Sequence, residues 1–189
     1  MAGIALLALI ALVAGQRWGS AVARGGTSAQ SATPAPGFGA IAPVPAAAPG
    51  ISAMSPQERA DRLFNRIMTL HEQGKTDSVQ FFAPMAVSAY QMLGPLEPDQ
   101  HYDLGRIGAV IGVRELARAQ ADSILNAQPN HLLGLALAAD AARLAGDETS
   151  ARRFEQRLIA AAPAELERNL PEYQRHRNDI DRALAQANR

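Results

Sequence analysis

A spacing of 34 residues recurs between matching residues in the second half of the chain, and it limits the possible folds more than any other feature. Residues 98–131 can be placed over residues 132–165 without a gap. The overlay pairs like with like: Pro129 with Pro163, Gly112 with Gly146, Ala117 with Ala151, Ile124 with Leu158, and Leu125 with Ile159. Similarity at such a period is typical of folds that stack one repeated supersecondary unit. Each window predicts a helix, a glycine turn and a second helix.

Small residues occupy the positions at which the two helices of a window would approach each other. In the first helices they are Gly105, Gly108, Ala139 and Ala142. The residues expected to face them from the second helices are Ala117 and Ala151. Larger aliphatic residues are expected to fill the interior beneath: Ile124, Leu125, Leu158 and Ile159. The pattern therefore predicts tightly packed antiparallel helix pairs.

Glycine and proline set the predicted ends of these helices. Gly112 and Gly146 predict the turns within the pairs, because glycine adopts a positive φ without a steric penalty. Asp147 is expected to cap the helix that follows its turn. Pro129 and Pro163 are expected to end the second helices, since proline cannot continue the helical hydrogen-bond ladder.

A further helix pair is predicted over residues 54–97. Ser55-Pro56-Gln57-Glu58 has the form of a capping box with proline at the first helical position. Gly74 is expected to end this helix, and a second helix is expected over residues 77–93, in which Pro84 predicts a kink or a boundary. Gly94-Pro95 and Pro98 are expected to end the pair. Sustained period-two alternation is absent from the sequence, so no sheet is predicted.

These residues resemble the pattern of the tetratricopeptide-repeat (TPR) family. One repeat matches at Leu104-Gly105, Ala117 and Pro129, and the next at Ala138-Ala139, Gly146, Ala151, Leu158 and Pro163. The aromatic positions of the family depart from the pattern, since His101 or Leu135 replaces the first of them. The resemblance implies an all-α fold over residues 54–189: a short TPR-like α-solenoid of antiparallel helix pairs with a C-terminal capping helix. The alternative is two ordinary helix pairs of equal length.

The resemblance also implies a partner-binding groove lined by the first helices of the repeats. The family's inward positions correspond here to Tyr102, Arg106, Leu133, Asp140 and Arg143, with His71 and Asp61 as weaker equivalents in the first pair. Two roles remain open for the arginines. They could hold an acidic side chain of a partner, since guanidinium binds carboxylate in a bidentate manner, or they could be ordinary surface charges.

The last residues, 164–189, carry a sparse apolar stripe and predict the capping helix. Pro171 is expected to begin a fresh helix after Asn169-Leu170. Arg175 and Arg177 suggest either an anion site or a solvated cap face, and the acidic residues interleaved with them favour the solvated face.

The first 53 residues differ in character from the rest. Residues 2–15 form one apolar run, and Ala21-Val22-Ala23 offers a cleavage site after Ala23. We expect residues 1–23 to be a signal peptide or an uncleaved membrane anchor, and residues 24–53, rich in Gly, Ser, Ala and Pro, to be a disordered linker. The expected location is therefore periplasmic or exported, with a tether to the inner membrane through residues 2–15 if they are retained.

The composition and the motifs of the sequence argue against several classes of function. The chain has 18 basic and 18 acidic residues, which weighs against nucleic-acid binding, and it has no cysteine. No nucleotide-binding or nucleophile-elbow motif is present. The four histidines share no metal-ligand spacing, and helix-end capping or exposure is the favoured interpretation for them. Phe81, Phe82 and Met85 are interpreted as core residues.

We therefore predict a non-enzymatic adaptor or scaffold of a bacterial-type cell envelope, which needs no cofactor and binds an unknown protein or peptide in the groove. The alternative is a structural, self-associating helical module. An enzyme would need a site assembled from scattered groups that the sequence does not reveal.

Overall fold

The computed structural model describes residues 54–189, and the predicted signal segment and linker lie outside the described residues. The described part of the chain folds into eight helices and contains no strand, which confirms the predicted all-α class. In chain order they are α1 (Pro56–Glu72), α2 (Thr76–Gln91), α3 (Pro98–Val110), α4 (Arg114–Ala127), α5 (Leu132–Leu144), α6 (Glu148–Glu167), α7 (Pro171–Arg175) and α8 (Arg177–Ala187).

The predicted capping box begins α1. The Ser55 hydroxyl accepts a hydrogen bond from the Glu58 N–H at 3.2 Å, and the Glu58 carboxylate accepts one from the Ser55 N–H at 2.7 Å. Pro98 differs from its prediction, because it does not end the first pair but opens α3 at the first helical turn. Its fixed φ and missing N–H suit that position, where no intrahelical donor is needed.

Three hairpins, α1–α2, α3–α4 and α5–α6, close with the same turn. Gly74, Gly112 and Gly146 have φ values of +67°, +76° and +72°. In each turn the glycine N–H donates to the carbonyl three residues earlier, and the next N–H donates to the carbonyl five residues earlier. The two windows found in the sequence therefore share one turn geometry, and the hairpin of residues 56–91 has it as well. Adjacent helices pack in pairs, and the hairpins stack in chain order.

Glycine and alanine allow the close contacts that the repeat predicted. A Cβ atom at Gly108 would lie 3.0 Å from the backbone nitrogen of Ala117, its predicted neighbour within the pair, whereas one at Gly105 would overlap Leu137 of α5, in the next pair. The prediction that Ile159 fills the interior is wrong, because this residue is 36% exposed. Its counterpart Leu125 is covered by the following hairpin, whereas α6 is followed only by α7 and α8.

Proline is a weaker helix terminator here than predicted. Pro129 follows the end of α4 as expected, but Pro163 lies inside α6 and Pro84 lies inside α2. Both internal prolines are exposed, and so are the residues four positions before them, Gln80 and Ile159, whose carbonyls lose their helical donor. Water can satisfy those carbonyls, while the apolar residues that follow each proline, such as Ala86 and Leu166, keep packing the helix against the core.

The C-terminal residues cap the stack as predicted, but the single capping helix that was expected is divided into α7 and α8 at His176. Pro171 opens α7, and α8 packs against α5 and α6. Ile180 of α8 and Tyr173 of α7 are buried in the same apolar cluster as Tyr102 and the residues of α5. The cap therefore contributes to the core that runs through the last two hairpins.

Candidate interaction surface

The face formed by the first helices, α1, α3 and α5, is the surface on which the sequence placed a groove. The junction between α7 and α8 lies across part of this face. Arg175 shows it most directly: its guanidinium contacts Asp61 of α1 at 3.2 Å and, in α3, Asp99 and Asp103 at 2.9 Å each. Arg177 lies on a solvated cap face as predicted, but Arg175, although its side chain is 35% exposed, is bound by acidic residues of α1 and α3 and is not an ordinary solvated charge. The acidic residues near Arg175 in the sequence do not indicate that its partners come from α1 and α3, which are distant in the chain.

Asp103 is the buried centre of this contact. Its side chain is fully buried, and its Oδ2 atom accepts hydrogen bonds from the Tyr90 hydroxyl and from Arg175, both at 2.9 Å. Burial raises the pKa of the Asp103 carboxyl to about 6, against the opposing effects of His176, Arg175 and the Tyr90 hydrogen bond. Its second oxygen, Oδ1, faces His176 Nε2 at 3.4 Å.

His176 fills the space between the first helices. Its ring lies edge-on to Tyr102, with 4.8 Å between the ring centroids, and 6.3 Å from Phe64. His176 is 5% exposed and His131 is not exposed at all, so both lie at helix ends as favoured but are not exposed, whereas His71 is exposed at the end of α1. The sequence does not show that the rings of His176 and His131 are buried, because residues far apart in the chain cover them.

Tyr173 attaches α7 to the beginning of α5. Its hydroxyl accepts a hydrogen bond from the Leu132 N–H at 3.0 Å and donates one to Glu165 at 2.7 Å. His131 lies beside it, with Nε2 3.3 Å from a Glu172 oxygen. Burial lowers the pKa of the His131 imidazole, and the nearby Glu172 opposes that effect. These contacts fix the segment that crosses the first-helix face.

Two of the predicted groove residues do not reach solvent. Tyr102 is 2% exposed and Leu133 is not exposed, so both belong to the core. The ring of His176 packs against Tyr102. The TPR pattern predicts the groove from the repeats alone, so it does not indicate that the C-terminal segment covers part of the first-helix face. Asp61, a weaker candidate, is engaged by Arg175.

The other three predicted groove residues come together. Asp140 lies 3.4 Å from Arg106 and 3.1 Å from Arg143, and Arg143 also pairs with Glu155 of α6. The side-chain amide of Gln186 in α8 can place its oxygen 3.2 Å from the Arg143 guanidinium. The cluster is thus a network of alternating charge rather than a pair of free arginines.

Asp179 of α8 extends this network. Burial opposes its ionisation, but a hydrogen bond from His176 and the charges of Arg106 and Arg182 outweigh burial and lower the pKa of its carboxyl to about 2. The negative charge of Asp179 therefore persists across the physiological range, where the positive charge of Arg106 in α3 favours it.

An open pocket of about 350 Å³ remains at the C-terminal ends of the first helices. Its polar lining is His71, Arg106, Asp140 and Arg143, and Ala109, Val110 and Leu144 supply the apolar part. Leu144 is 42% exposed, and His71 lies at the exposed end of α1. This pocket is the part of the predicted groove that a partner could reach without displacing α7 and α8.

A second open surface lies on α1 and α2. Phe81 and Met85, interpreted from the sequence as core, are 69% and 42% exposed, whereas Phe82 is partly buried, packs against the core cluster as interpreted and also lines a cavity. Helical spacing fails to separate inward from outward apolar residues here because α2 is apolar on both sides: its single charged residue is Asp77.

Comparison of the chain with protein-family models, with curated proteins and with solved structures gives no match. Within residues 54–189, no group of three or more His, Cys, Asp or Glu side chains is arranged to hold a metal ion. None of the helices in this part of the chain combines the length and hydrophobicity that a membrane span requires.

Proposed function

We propose that the chain is a non-enzymatic, TPR-like adaptor or scaffold of a bacterial-type cell envelope, without a cofactor, that binds a partner protein or peptide on the face of its first helices. The observation that carries the proposal is the pocket shared by α1, α3 and α5, in which Arg106, Asp140 and Arg143 surround an apolar floor. One surface built by consecutive hairpins is the arrangement that repeat proteins use to hold extended partners.

The chemistry of the pocket favours a segment that offers both an acidic and an apolar side chain. Arg143 and Arg106 are held in place by Asp140 and Glu155, so their guanidinium groups are oriented before a partner arrives. An acidic partner side chain can add to this network, and an apolar one can cover Val110 and Leu144. The near balance of charge in the chain supports a protein partner rather than nucleic acid.

A position-specific photo-crosslinking experiment tests this site. A crosslinking amino acid replaces exposed Leu144 at the pocket rim, and a control replaces exposed Gln156 on α6. In cells that produce the protein naturally, we expect a discrete adduct from position 144 and none from position 156. The same adducts from both positions, or none from either, would count against the pocket.

The envelope location is proposed from the sequence of residues 1–53. We propose export, with residues 2–15 either removed after Ala23 or kept as an inner-membrane tether. Mass measurement of the mature N-terminus from a membrane fraction tests both forms. Recovery of the intact chain from the soluble cytoplasmic fraction alone would contradict the location.

The second candidate function is a structural module that self-associates. The observation that favours it is the exposed apolar surface of Phe81, Met85 and Met92, of which Met92 is 74% exposed. Light scattering over a range of concentrations tests it, because self-association requires the mean mass to rise with concentration. A monomer at every concentration eliminates this candidate.

A further inference from the structure

The outer face of the α1–α2 hairpin is a trough at the beginning of the stack. Its opposite face packs against α3, and no described helix covers the outer one. A cavity of about 600 Å³ lies between the two helices, with Leu63, Phe82 and Met85 in its lining. A second cavity of about 490 Å³ continues past Leu63 and Met85 to Met92. The trough therefore runs along both helices.

The apolar residues of this trough are contiguous. Met85 and Met92, which line the trough, are 42% and 74% exposed, and Phe81, which is 69% exposed, lies one helical turn before Met85 on α2, beside the cavities. The other large exposed apolar residues of the described chain, Val113, Leu144 and Ile159, lie on other helices or turns. A contiguous exposed apolar surface marks an interaction site far more often than a scattered one does.

Three arginines border the trough. Arg59, Arg62 and Arg66 follow one another along α1 and line the first cavity, and no acidic residue lines either cavity. None of the three forms an ion pair with an acidic residue of the described chain, whereas Arg106, Arg143 and Arg175 all do. The trough thus combines an apolar floor with an unneutralised positive edge.

We propose that this trough is a second docking surface and that its occupant is an acidic amphipathic helix of a partner protein. An amphipathic helix in a groove buries its apolar stripe between two helices, and acidic residues beside that stripe would meet the arginines. The α1 residues that line the two cavities run from Pro56 to Thr69, and at 1.5 Å per residue this stretch is about 21 Å long, enough for roughly four turns of bound helix.

Charge argues against the two occupants that this chain could itself supply. Residues 1–53 contain no Asp or Glu, so the N-terminal segment cannot neutralise the arginines. A second copy that presented the same face would bring its own Arg59, Arg62 and Arg66 against these three. Like charges placed together at an interface oppose association.

A flat lipid surface fits less well than a rod, because Leu63, Phe82 and Met85 line a cavity between two helices that a rod can enter and a flat surface cannot. This docking surface is separate from the pocket at Arg106, Asp140 and Arg143. The adaptor role can therefore hold at one surface and fail at the other.

Two synthetic peptides test the proposal. Each is an 18-residue helix with leucines at positions 1, 4, 5, 8, 11, 12 and 15; the remaining positions are mainly glutamate in one peptide and lysine in the other. Binding to the full-length chain, kept in phosphatidylcholine nanodiscs, is followed by fluorescence anisotropy. We expect the glutamate peptide to bind at least tenfold more tightly than the lysine peptide.

Matched variants locate the binding. Arg59→Glu with Arg62→Glu should weaken the glutamate peptide at least tenfold, and Met85→Ser should weaken it several-fold. The control, Arg152→Glu with Arg189→Glu, changes the net charge equally at a distance from the trough and should change affinity less than twofold. Circular dichroism of each variant verifies that the helices are intact.

Several outcomes would overturn the proposal. Equal affinity for both peptides, no binding of either, or equal effects of the two charge-reversal variants would each do so. Arginine-dependent binding to phosphatidylglycerol vesicles without peptide binding would assign the trough to a membrane. A dimer that is lost on Met85→Ser, again without peptide binding, would assign it to a second copy. The photo-crosslinking experiment at position 144 tests the pocket at Arg106, Asp140 and Arg143, and its result does not depend on any of these outcomes.

Discussion

His176 Nε2 lies 3.4 Å from Asp103 Oδ1, and neither atom has a hydrogen-bond partner elsewhere in the described chain. The two atoms face each other at the point where the C-terminal cap meets α3. Asp103 is also held by Tyr90 and Arg175, so one carboxylate joins α2, α3 and the junction of α7 with α8. The cap is therefore linked to the stack by a buried polar centre as well as by apolar packing.

Asp103→Asn should reveal the titration of this centre. The pKa of Asp103 is raised from 3.8 to about 6 in the folded chain. A raised carboxyl pKa contributes stability below pH 3.8, and that contribution is lost as the pH rises through 6. Relative to the Asn variant, wild type should thus lose up to about 3 kcal/mol of unfolding free energy between pH 4 and pH 7.

Urea unfolding of both proteins at several pH values measures this difference, and ionisable groups that do not contact Asp103 cancel in the comparison. A difference that stays constant with pH, or that grows in favour of wild type towards pH 7, would contradict the assignment.

Arg175→Met should destabilise the chain much more than Arg177→Ala. Arg175 neutralises three acidic residues, and its loss leaves the buried Asp103 carboxylate without its cation. We expect a cost of about 2 kcal/mol, reduced from the usual value for a buried pair because the Arg175 side chain is 35% exposed. Arg177 pairs with Asp181 on the surface, where the expected cost is below about 0.5 kcal/mol.

Chemical denaturation measures both variants, and hydrogen exchange of α8 amides should show faster opening in Arg175→Met alone. Equal destabilisation by the two substitutions would mean that Arg175 is an ordinary surface charge.

Gly108→Ala should destabilise the α3–α4 hairpin by about 1–3 kcal/mol, although alanine is the better helix former. The added Cβ would lie 3.0 Å from the Ala117 backbone nitrogen and 3.0 Å from Leu116 Cβ, and neither atom can move without shifting α4. Gly105→Ala should also destabilise the chain, because both δ methyls of the fully buried Leu137 lie against the added Cβ and rotation of the side chain would exchange one for the other. Thermal unfolding compares the two, and a more stable Gly108→Ala variant would refute the tight contact.

The sequence predicts the hairpins well because their determinants are local. Gly112, Gly146 and the Ser55 capping box each act within five residues, and all three form as expected. The cap across the first-helix face depends on contacts between residues far apart, such as Arg175 with Asp61, which are 114 positions apart. Periodicity carries no information on such pairs, so Tyr102 and Leu133 were assigned to a groove that the folded chain partly fills.

Tyr173→Phe should loosen α7 from α5 without unfolding the stack. The substitution leaves the Leu132 N–H and Glu165 without the hydroxyl that each contacts. We expect a loss of about 1–2 kcal/mol in unfolding free energy, since a buried amide is left unsatisfied while the ring still fills its site. Faster amide exchange at Leu132, with exchange in α1 and α2 unchanged, is the expected signature. Uniform acceleration in all helices would show that the hydroxyl has no local role.

Pro163→Ala should stabilise the chain, and Pro129→Ala should not. Pro163 lies within α6, where alanine would restore the N–H that the Ile159 carbonyl lacks and would raise helix propensity. Part of that gain is offset because the unfolded chain becomes more flexible, so we expect a net gain of about 1–2 kcal/mol. Pro129 lies in the turn after α4. Alanine there restores no helical hydrogen bond and only makes the unfolded chain more flexible, so we expect a loss of less than about 1 kcal/mol in unfolding free energy. Urea denaturation of both variants measures the difference. A destabilised Pro163→Ala variant would mean that α6 depends on a bend at proline to bring Leu166 onto the core.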